Sequence, residues 1–289
     1  MAWPEVVVFA LGPLGALLLI SRPDSGRERW WLFMIAAWAG LWLIQPGGVA
    51  TQVIRAGGVL VTGAFVVRVL WRPDGLQRNI TAAMIAGGIG TVWWAWILGL
   101  SWREIEFSLS RATWETYRAM KQGLLLLDGT DTPEEAARGI ELAVRFFPAL
   151  TTLAAILGLL LAWSLYQRVA TNPVGKPAGR FREFRGSDHM VWGLIVPLGV
   201  LISPAGAAWD GWAANLLLVF AVLYGARGAA VLLSFLRGSS RLLVGILTVA
   251  GLLILPIAGS GLVLFGVADM WIDFRRRMVP SGRERGELR

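Results

Sequence analysis

Charged residues inside apolar stretches are the side chains of this sequence that could do chemistry. Arg227 lies within the apolar stretch from Trp209 to Leu236, and Asp269 and Asp273 lie just inside the end of the last apolar stretch. An ionised group is expensive to bury in lipid, so such residues usually pair with one another or face a polar cavity. We therefore expect Arg227 and Asp269 to form an intramembrane pair, or else to line a ligand cavity.

Three further polar residues complete this candidate set. Arg55 lies near the start of the third apolar stretch, and Asn215 lies in the same stretch as Arg227. Asp273 follows Asp269 by four residues, which places both carboxylates on one face of a helix. We expect that face to look into the helical bundle, with Asp273 at the membrane boundary.

A catalytic constellation is missing from the sequence. His189 is the only histidine, there is no cysteine, and no paired-histidine, P-loop or G-x-S-x-G motif occurs. His189 directly precedes an apolar stretch, which is typical of an interfacial polar residue. We therefore expect no enzymatic activity, no metal site and no cofactor.

The composition indicates a membrane protein. Hydrophobic residues make up 56% of the 289 residues and charged residues only 16%, whereas a soluble domain carries about 25% charged residues. The net charge of +8 comes from 27 Lys and Arg against 19 Asp and Glu. The arginines lie in short loops between apolar stretches, where they set the topology and meet anionic lipid, so we expect no nucleic-acid partner.

Eight apolar stretches approach the length of about 20 residues that crosses a bilayer as a helix. They are Trp3 to Ile20, Trp30 to Gln45, Val49 to Leu70, Ile80 to Leu100, Ile140 to Tyr166, Met190 to Ile202, Trp209 to Leu236, and Leu242 to Ile272. This pattern predicts an all-α fold, a polytopic transmembrane bundle that forms a single domain over residues 1–289.

The last stretch is long enough to be two segments. Pro256 lies in its middle, and proline removes a backbone donor and clashes with the preceding turn of a helix. A break there gives Leu242 to Leu255 and Gly261 to Ile272, and hence about eight to nine membrane segments. With the break, every arginine-rich loop and the basic tail, residues 274–289, lie in the cytoplasm, and the N-terminus lies outside a bacterial inner membrane.

The polar segment 102–138 is periodic rather than irregular. From Trp102 to Leu127, apolar residues recur every three or four positions and charged residues take the other faces, which predicts an amphipathic helix on the outer face. Thr132 is a suitable N-cap, Pro133 suits the first helical position, and Glu135 completes a capping box. These residues predict a second helix that continues into the fifth membrane segment.

The C-terminal half carries several short motifs in a fixed order. They are Pro148 in the fifth segment; Phe181, Phe184 and Arg185 in the following loop; Arg227-Gly228; and Gly266, Asp269, Trp271, Asp273, Phe274 and Arg275 at the end. In this order the chain resembles the YybS-like family of bacterial membrane proteins, in which Gln stands at the position of Arg227. That family is distantly similar to the S components of energy-coupling-factor transporters. The resemblance implies a helical bundle with a central cavity.

The resemblance implies a transport-related protein that binds a small molecule. The sequence contains no ATP-binding motif, so any coupling to ATP would require a partner subunit. The alternative is a non-catalytic scaffold or accessory subunit of an assembly in the cytoplasmic membrane.

Overall fold

The computed structural model describes residues 6–44, 47–73, 75–123, 133–184, 186, 188–203, 209–236, 240, 245, 251, 254–272 and 274. Within these residues the regular structure is entirely helical, which confirms the prediction of an all-α chain. The chain divides into two compact units, Met1–Ala178 and Gly179–Arg289. Asp273 and the tail 275–289 lie outside the described residues, as do most residues from 241 to 253.

The first unit contains seven α-helices in its described part. They are α1 (Val6–Ile20), α2 (Gly26–Ile44), α3 (Val49–Trp71), α4 (Leu76–Ile97), α5 (Trp102–Gly123), α6 (Pro133–Arg145) and α7 (Phe147–Val169). The core lies mainly between α1, α3 and α7, and its largest fully buried side chains include Phe65, Trp163 and Tyr166. Phe65 packs edge-on against Trp163, with ring centroids 6.5 Å apart.

The second unit consists of α8 (Trp192–Ile202), α9 (Asp210–Phe235) and α10 (Leu255–Ile272) in its described part, preceded by two short 3₁₀ turns. Both α8 and α10 pack against α9. A Cβ atom at Gly193 would overlap the ring of Phe220, so glycine is what allows α8 to approach α9.

Among the described residues, four helices are long and apolar enough to cross a membrane: α3, α4, α7 and α9. The surface of α4 shows why such helices suit lipid. Ile85, Ile89, Val92, Trp93 and Trp96 recur at helical spacing, and each leaves more than half of its area exposed. An apolar face of this kind is stable against lipid tails and costly against water.

The expected sixth segment, Met190 to Ile202, is shorter as a helix. The α-helix α8 has 11 residues, which extend over about 17 Å, roughly half of a hydrocarbon core. Pro197 lies inside it.

The expected continuous helix from Thr132 into the fifth segment is wrong at one point. Helix α6 ends at Arg145, Phe146 forms a turn, and α7 begins at Phe147. Pro148 is the physical reason, because it lacks the N–H that would bond to the carbonyl of Val144, and its ring clashes with that turn. Thr132 itself lies outside the described residues.

The last apolar stretch is also interrupted earlier than expected. Ile254 forms a turn, and its carbonyl accepts hydrogen bonds from the N–H groups of Ile257 and Ala258. Helix α10 therefore begins at Leu255, with Pro256 in the first turn, where a missing N–H costs little. The expectation that this segment begins at Gly261 is wrong, because residues 259–261 are already helical.

The predicted amphipathic segment forms α5 and α6 in its described residues, with 124–132 between them not described. Ile105 and Leu109 of α5 and Ile140 and Val144 of α6 pack around Ala50, in the first turn of α3. The N–H of Ala50 also donates a hydrogen bond to Oγ of Ser108. The two amphipathic helices therefore cover the N-terminal end of α3.

Candidate functional site

The second unit contains a buried ion pair between α9 and α10. Nε of Arg227 donates a hydrogen bond to Oδ2 of Asp269 at 3.0 Å, and the side chains are only 7% and 2% exposed. The structure thus brings together the two residues that the sequence analysis paired. Each charge alone would be strongly destabilising in an apolar environment, so each residue of the pair requires the other.

Two glycines allow the helices to come close enough for this pair. A Cβ atom at Gly228 would overlap the carbonyl oxygen of Leu262, and one at Gly266 would overlap that of Tyr224. The two backbones therefore touch at their crossing point, and any larger residue would push them apart. Each glycine is close in sequence to one member of the pair, Arg227-Gly228 and Gly266-x-x-Asp269, so these short motifs have a single geometric explanation.

A second polar contact extends the site along the same helix interface. The hydroxyl of Tyr224, which is 2% exposed, lies 3.1 Å from Sδ of Met270. Tyr224 precedes Arg227 by three residues, and Met270 directly follows Asp269. The interface therefore carries two adjacent polar contacts.

A buried donor atom of the site remains unsatisfied. Within the described part of the chain, no group accepts a hydrogen bond from the buried Nη1 of Arg227. A buried guanidinium N–H without an acceptor costs free energy that a bound oxygen acceptor would recover. This donor is chemically suited to the oxygen of a carboxylate, a phosphate or another oxygen-bearing group.

The two other candidate residues that the structure describes, Asn215 and Arg55, have different partners. Asn215 is buried on α9, and its Nδ2 donates to the carbonyl of Gly211; it lies 12 residues, or about 18 Å, before Arg227 along the helix. Arg55 belongs to the first unit, where Nη2 donates to the carbonyl of Trp42 at 2.7 Å and the guanidinium lies over the Trp42 ring. Arg55 thus joins α3 to α2. Asp273 lies outside the described residues.

The first unit contains a buried polar cluster that the sequence analysis missed. Glu28 is 2% exposed. Its Oε2 accepts hydrogen bonds from the N–H groups of Asp24 and Ser25 and from Oγ of Ser25, and its Oε1 accepts one from the N–H of Thr171 at 2.7 Å. The backbone N–H of Ser25, and then that of Thr171, hold the pKa of Glu28 down to about 2.

The rest of this cluster fixes the chain that follows α7. The hydroxyl of Tyr166 bonds to Oγ of Ser21 and accepts a hydrogen bond from the N–H of Val174. Nε1 of Trp163 donates to the carbonyl of Lys176. The only sequence signal for this arrangement is Ser25-x-x-Glu28, a capping box at the start of α2. That motif predicts the hydrogen bonds between Ser25 and Oε2 of Glu28, but it does not predict the hydrogen bond between Oε1 and the N–H of Thr171.

No metal-binding cluster of His, Asp and Glu occurs among the residues that the structure describes. The arrangement therefore consists of apolar helices, a buried ion pair at a glycine crossing, and a hydrogen-bonded loop cluster.

These features define a helical integral membrane protein. The chain belongs to the family described as predicted membrane protein (DUF2232), whose model matches residues 6–270. The match spans both units and includes Arg227 and Asp269. No curated protein and no solved structure shows a significant match to the chain.

Proposed function

We propose that this chain is a transport-related membrane protein that binds a small molecule bearing an oxygen anion at Arg227. The observation that carries the proposal is the buried Nη1 of Arg227, which has no acceptor among the described residues while Nε is engaged by Asp269. An ionisable residue inside a membrane segment is a functional-site hypothesis by default, because a purely structural role is met more cheaply by apolar side chains.

Asp269 gives the proposed site a way to release its ligand. A carboxylate that approaches Arg227 meets a guanidinium whose charge is already partly balanced by Asp269. The ligand then competes with Asp269 for the same donor group, so binding is moderate and reversible rather than tight. A transport protein needs such moderate affinity, since a ligand that cannot leave cannot be transported.

The resemblance to the YybS-like family, and through it to transporter S components, supports the transport-related part of this proposal. Gln stands at the position of Arg227 in that family, so the anion site is proposed for this chain alone. We further propose a topology of about eight or nine membrane segments in the bacterial inner membrane, with the N-terminus outside and the basic tail in the cytoplasm. The arginines of the loops after α1, α3 and α7 support this orientation. Coupling to ATP, if it occurs, would come from a partner subunit.

The test is a comparison of copurified small molecules. Wild-type protein and the variant Arg227→Gln would be purified from native membranes and extracted for mass spectrometry, with Arg55→Gln as the matched control. We expect an anionic compound that is retained by the wild type and by Arg55→Gln and is lost from Arg227→Gln. Equal small-molecule content in all three preparations would contradict the proposal.

The second candidate function is a non-catalytic scaffold or accessory subunit. The observation that favours it is the buried cluster around Glu28 and Tyr166, which holds an exposed loop in one conformation, as a docking surface requires. A stoichiometric protein partner in the same preparations, without any retained small molecule, would favour this candidate.

A further inference from the structure

We propose that the C-terminal end of α3 binds the phosphate group of an anionic phospholipid, between Arg68 and Arg72. This site is independent of the ion pair in the second unit and of the function proposed above. The observations that carry it are an unsatisfied guanidinium atom, two like charges one helical turn apart, and an exposed tryptophan at the same helix end.

Arg68 and Arg72 place two positive charges at the C-terminal end of α3. The N–H of Arg72, at the C-cap of α3, donates to the carbonyl of Arg68, so the two residues lie one helical turn apart, and like charges at this spacing are destabilising. The buried Nε of Arg68 has no acceptor among the residues that the structure describes. A phosphate between the two guanidinium groups would supply that acceptor and remove the repulsion, in the geometry for which arginine is suited.

The neighbouring side chains place this site at the edge of the apolar layer. Val67, Leu70 and Trp71 are 59%, 44% and 76% exposed. The first two suit lipid tails, whereas an exposed tryptophan at a helix end suits the headgroup region. A free phosphate ion would gain nothing from these apolar neighbours, so we assign the site to a phospholipid.

The backbone that carries Arg72 is held in place. The carbonyl of Arg72 accepts a hydrogen bond from Nδ2 of Asn79, which is 2% exposed, and its N–H donates to the carbonyl of Arg68. Gly175, at a φ of +78°, packs against the carbonyl of Pro73, and a Cβ there would lie only 2.8 Å from that oxygen. The site is therefore preorganised, which lowers the entropic cost of binding.

The charge of the surroundings is favourable. Helices α1, α3, α4 and α7 contain no Asp or Glu, and Arg78 is exposed in the first turn of α4. The buried Glu28 carboxylate is already engaged by Ser25 and Thr171. Asp74, in the turn after α3, lies outside the described residues.

The experiment is native mass spectrometry of the full-length protein from micelles that contain equal amounts of phosphatidylglycerol and phosphatidylcholine. Wild-type protein should retain phosphatidylglycerol in preference to phosphatidylcholine. The double variant Arg68→Gln, Arg72→Gln should lose about fivefold of that preference for each arginine removed, or about 25-fold. The control variant Arg111→Gln, Arg118→Gln removes the same charge from α5, at the other end of α3, and should retain the preference.

Two further arms separate the possible outcomes. Inorganic phosphate at millimolar concentration should not raise the melting temperature of the wild type, whereas phosphatidylglycerol should. Raising the salt concentration should release phosphatidylglycerol from the wild type, a measurement that does not depend on any variant folding. The proposal is overturned if the double variant keeps the wild-type preference, if both lipids are retained equally, or if inorganic phosphate stabilises as strongly as the lipid.

Discussion

Replacing Asp269 by Asn leaves the guanidinium of Arg227 charged and buried between α9 and α10. Arginine cannot lose its proton, so the helix pair must accommodate an uncompensated charge. Breaking a buried pair in this way costs about 3–5 kcal/mol. With a shift of about 2–4 °C per kcal/mol, the melting temperature should fall by about 6–20 °C. The variant Arg227→Gln should also lower the melting temperature, because it removes the ion-pair partner of Asp269.

The double variant Asp269→Asn, Arg227→Gln should be more stable than either single variant. Both charges are then absent, and two neutral amides replace the charged groups whose Nε and Oδ2 atoms lie 3.0 Å apart in the wild type. The expected loss is close to zero, since exchanging a whole buried pair for neutral groups is often tolerated. The assay is thermal unfolding of detergent-solubilised protein, with all four proteins measured in the same micelles.

The exposed pair of Arg111 and Glu115 provides the control. Its Nε to Oε1 distance is also 3.0 Å, but its side chains are 72% and 61% exposed. A double-variant cycle on this pair should give a coupling of about 0.3–0.5 kcal/mol. If the coupling between Arg227 and Asp269 is no larger than that at the exposed pair, burial does not strengthen the inner pair and the reasoning is refuted.

Three other predictions follow from the structure. Gly228→Ala should destabilise the protein by at least about 1–3 kcal/mol, because the added Cβ would overlap a backbone carbonyl of α10. The control Gly225→Ala should be tolerated, because its Cβ would meet only a side-chain methyl at 3.7 Å. Equal thermal stability of the two variants would contradict the close helix crossing. The pKa of Glu28 is lowered from 4.5 to about 2, so its ionised carboxylate should add stability that is fully present above pH 4.5 and is lost as the pH falls toward 2. The melting temperature of the wild type should therefore converge on that of Glu28→Gln in acid. A difference in melting temperature that does not change with pH would refute this prediction. A cysteine at the exposed Ala119 of α5 should react with an impermeant thiol reagent in intact cells, while one at the exposed Ala178 should react only after permeabilisation; the reverse pattern would invert the proposed topology.

The ion pair could be predicted from the sequence, because a charged residue within an apolar stretch is expensive to bury and is easily recognised. A charge within an apolar helix needs a partner at similar depth, and in the C-terminal half Asp269 was such a partner for Arg227. The glycine crossing was not predictable in the same way, since a helical glycine can be explained by many kinds of close packing. Only the coordinates show that Gly228 and Gly266 face each other.

The errors of the sequence analysis concern helix ends. Pro148 was recognised in the fifth segment, yet the sequence did not show that the chain would turn at Phe146 rather than bend. Residues 259–261 looked like a loop because they are Gly-Ser-Gly, but the packing of the apolar face against α9 outweighs their weak helix propensity. An interruption near Pro256 was predictable, because proline lacks the N–H that would continue the hydrogen bonding of a preceding helix.

The hydrogen bond between Glu28 and Thr171 has a consequence for how the protein is made. The two residues are 143 positions apart. At about 5–20 residues per second, synthesis delivers Thr171 on the order of ten seconds after Glu28. During that interval Ser25 can donate its hydrogen bonds to Oε2 of Glu28, whereas the N–H of Thr171, which donates to Oε1, has not yet been synthesised. The hydrogen bond between Glu28 and Thr171 can therefore form only after α7 has been synthesised. The loop between α1 and α2 gains this contact late in the synthesis of the first unit.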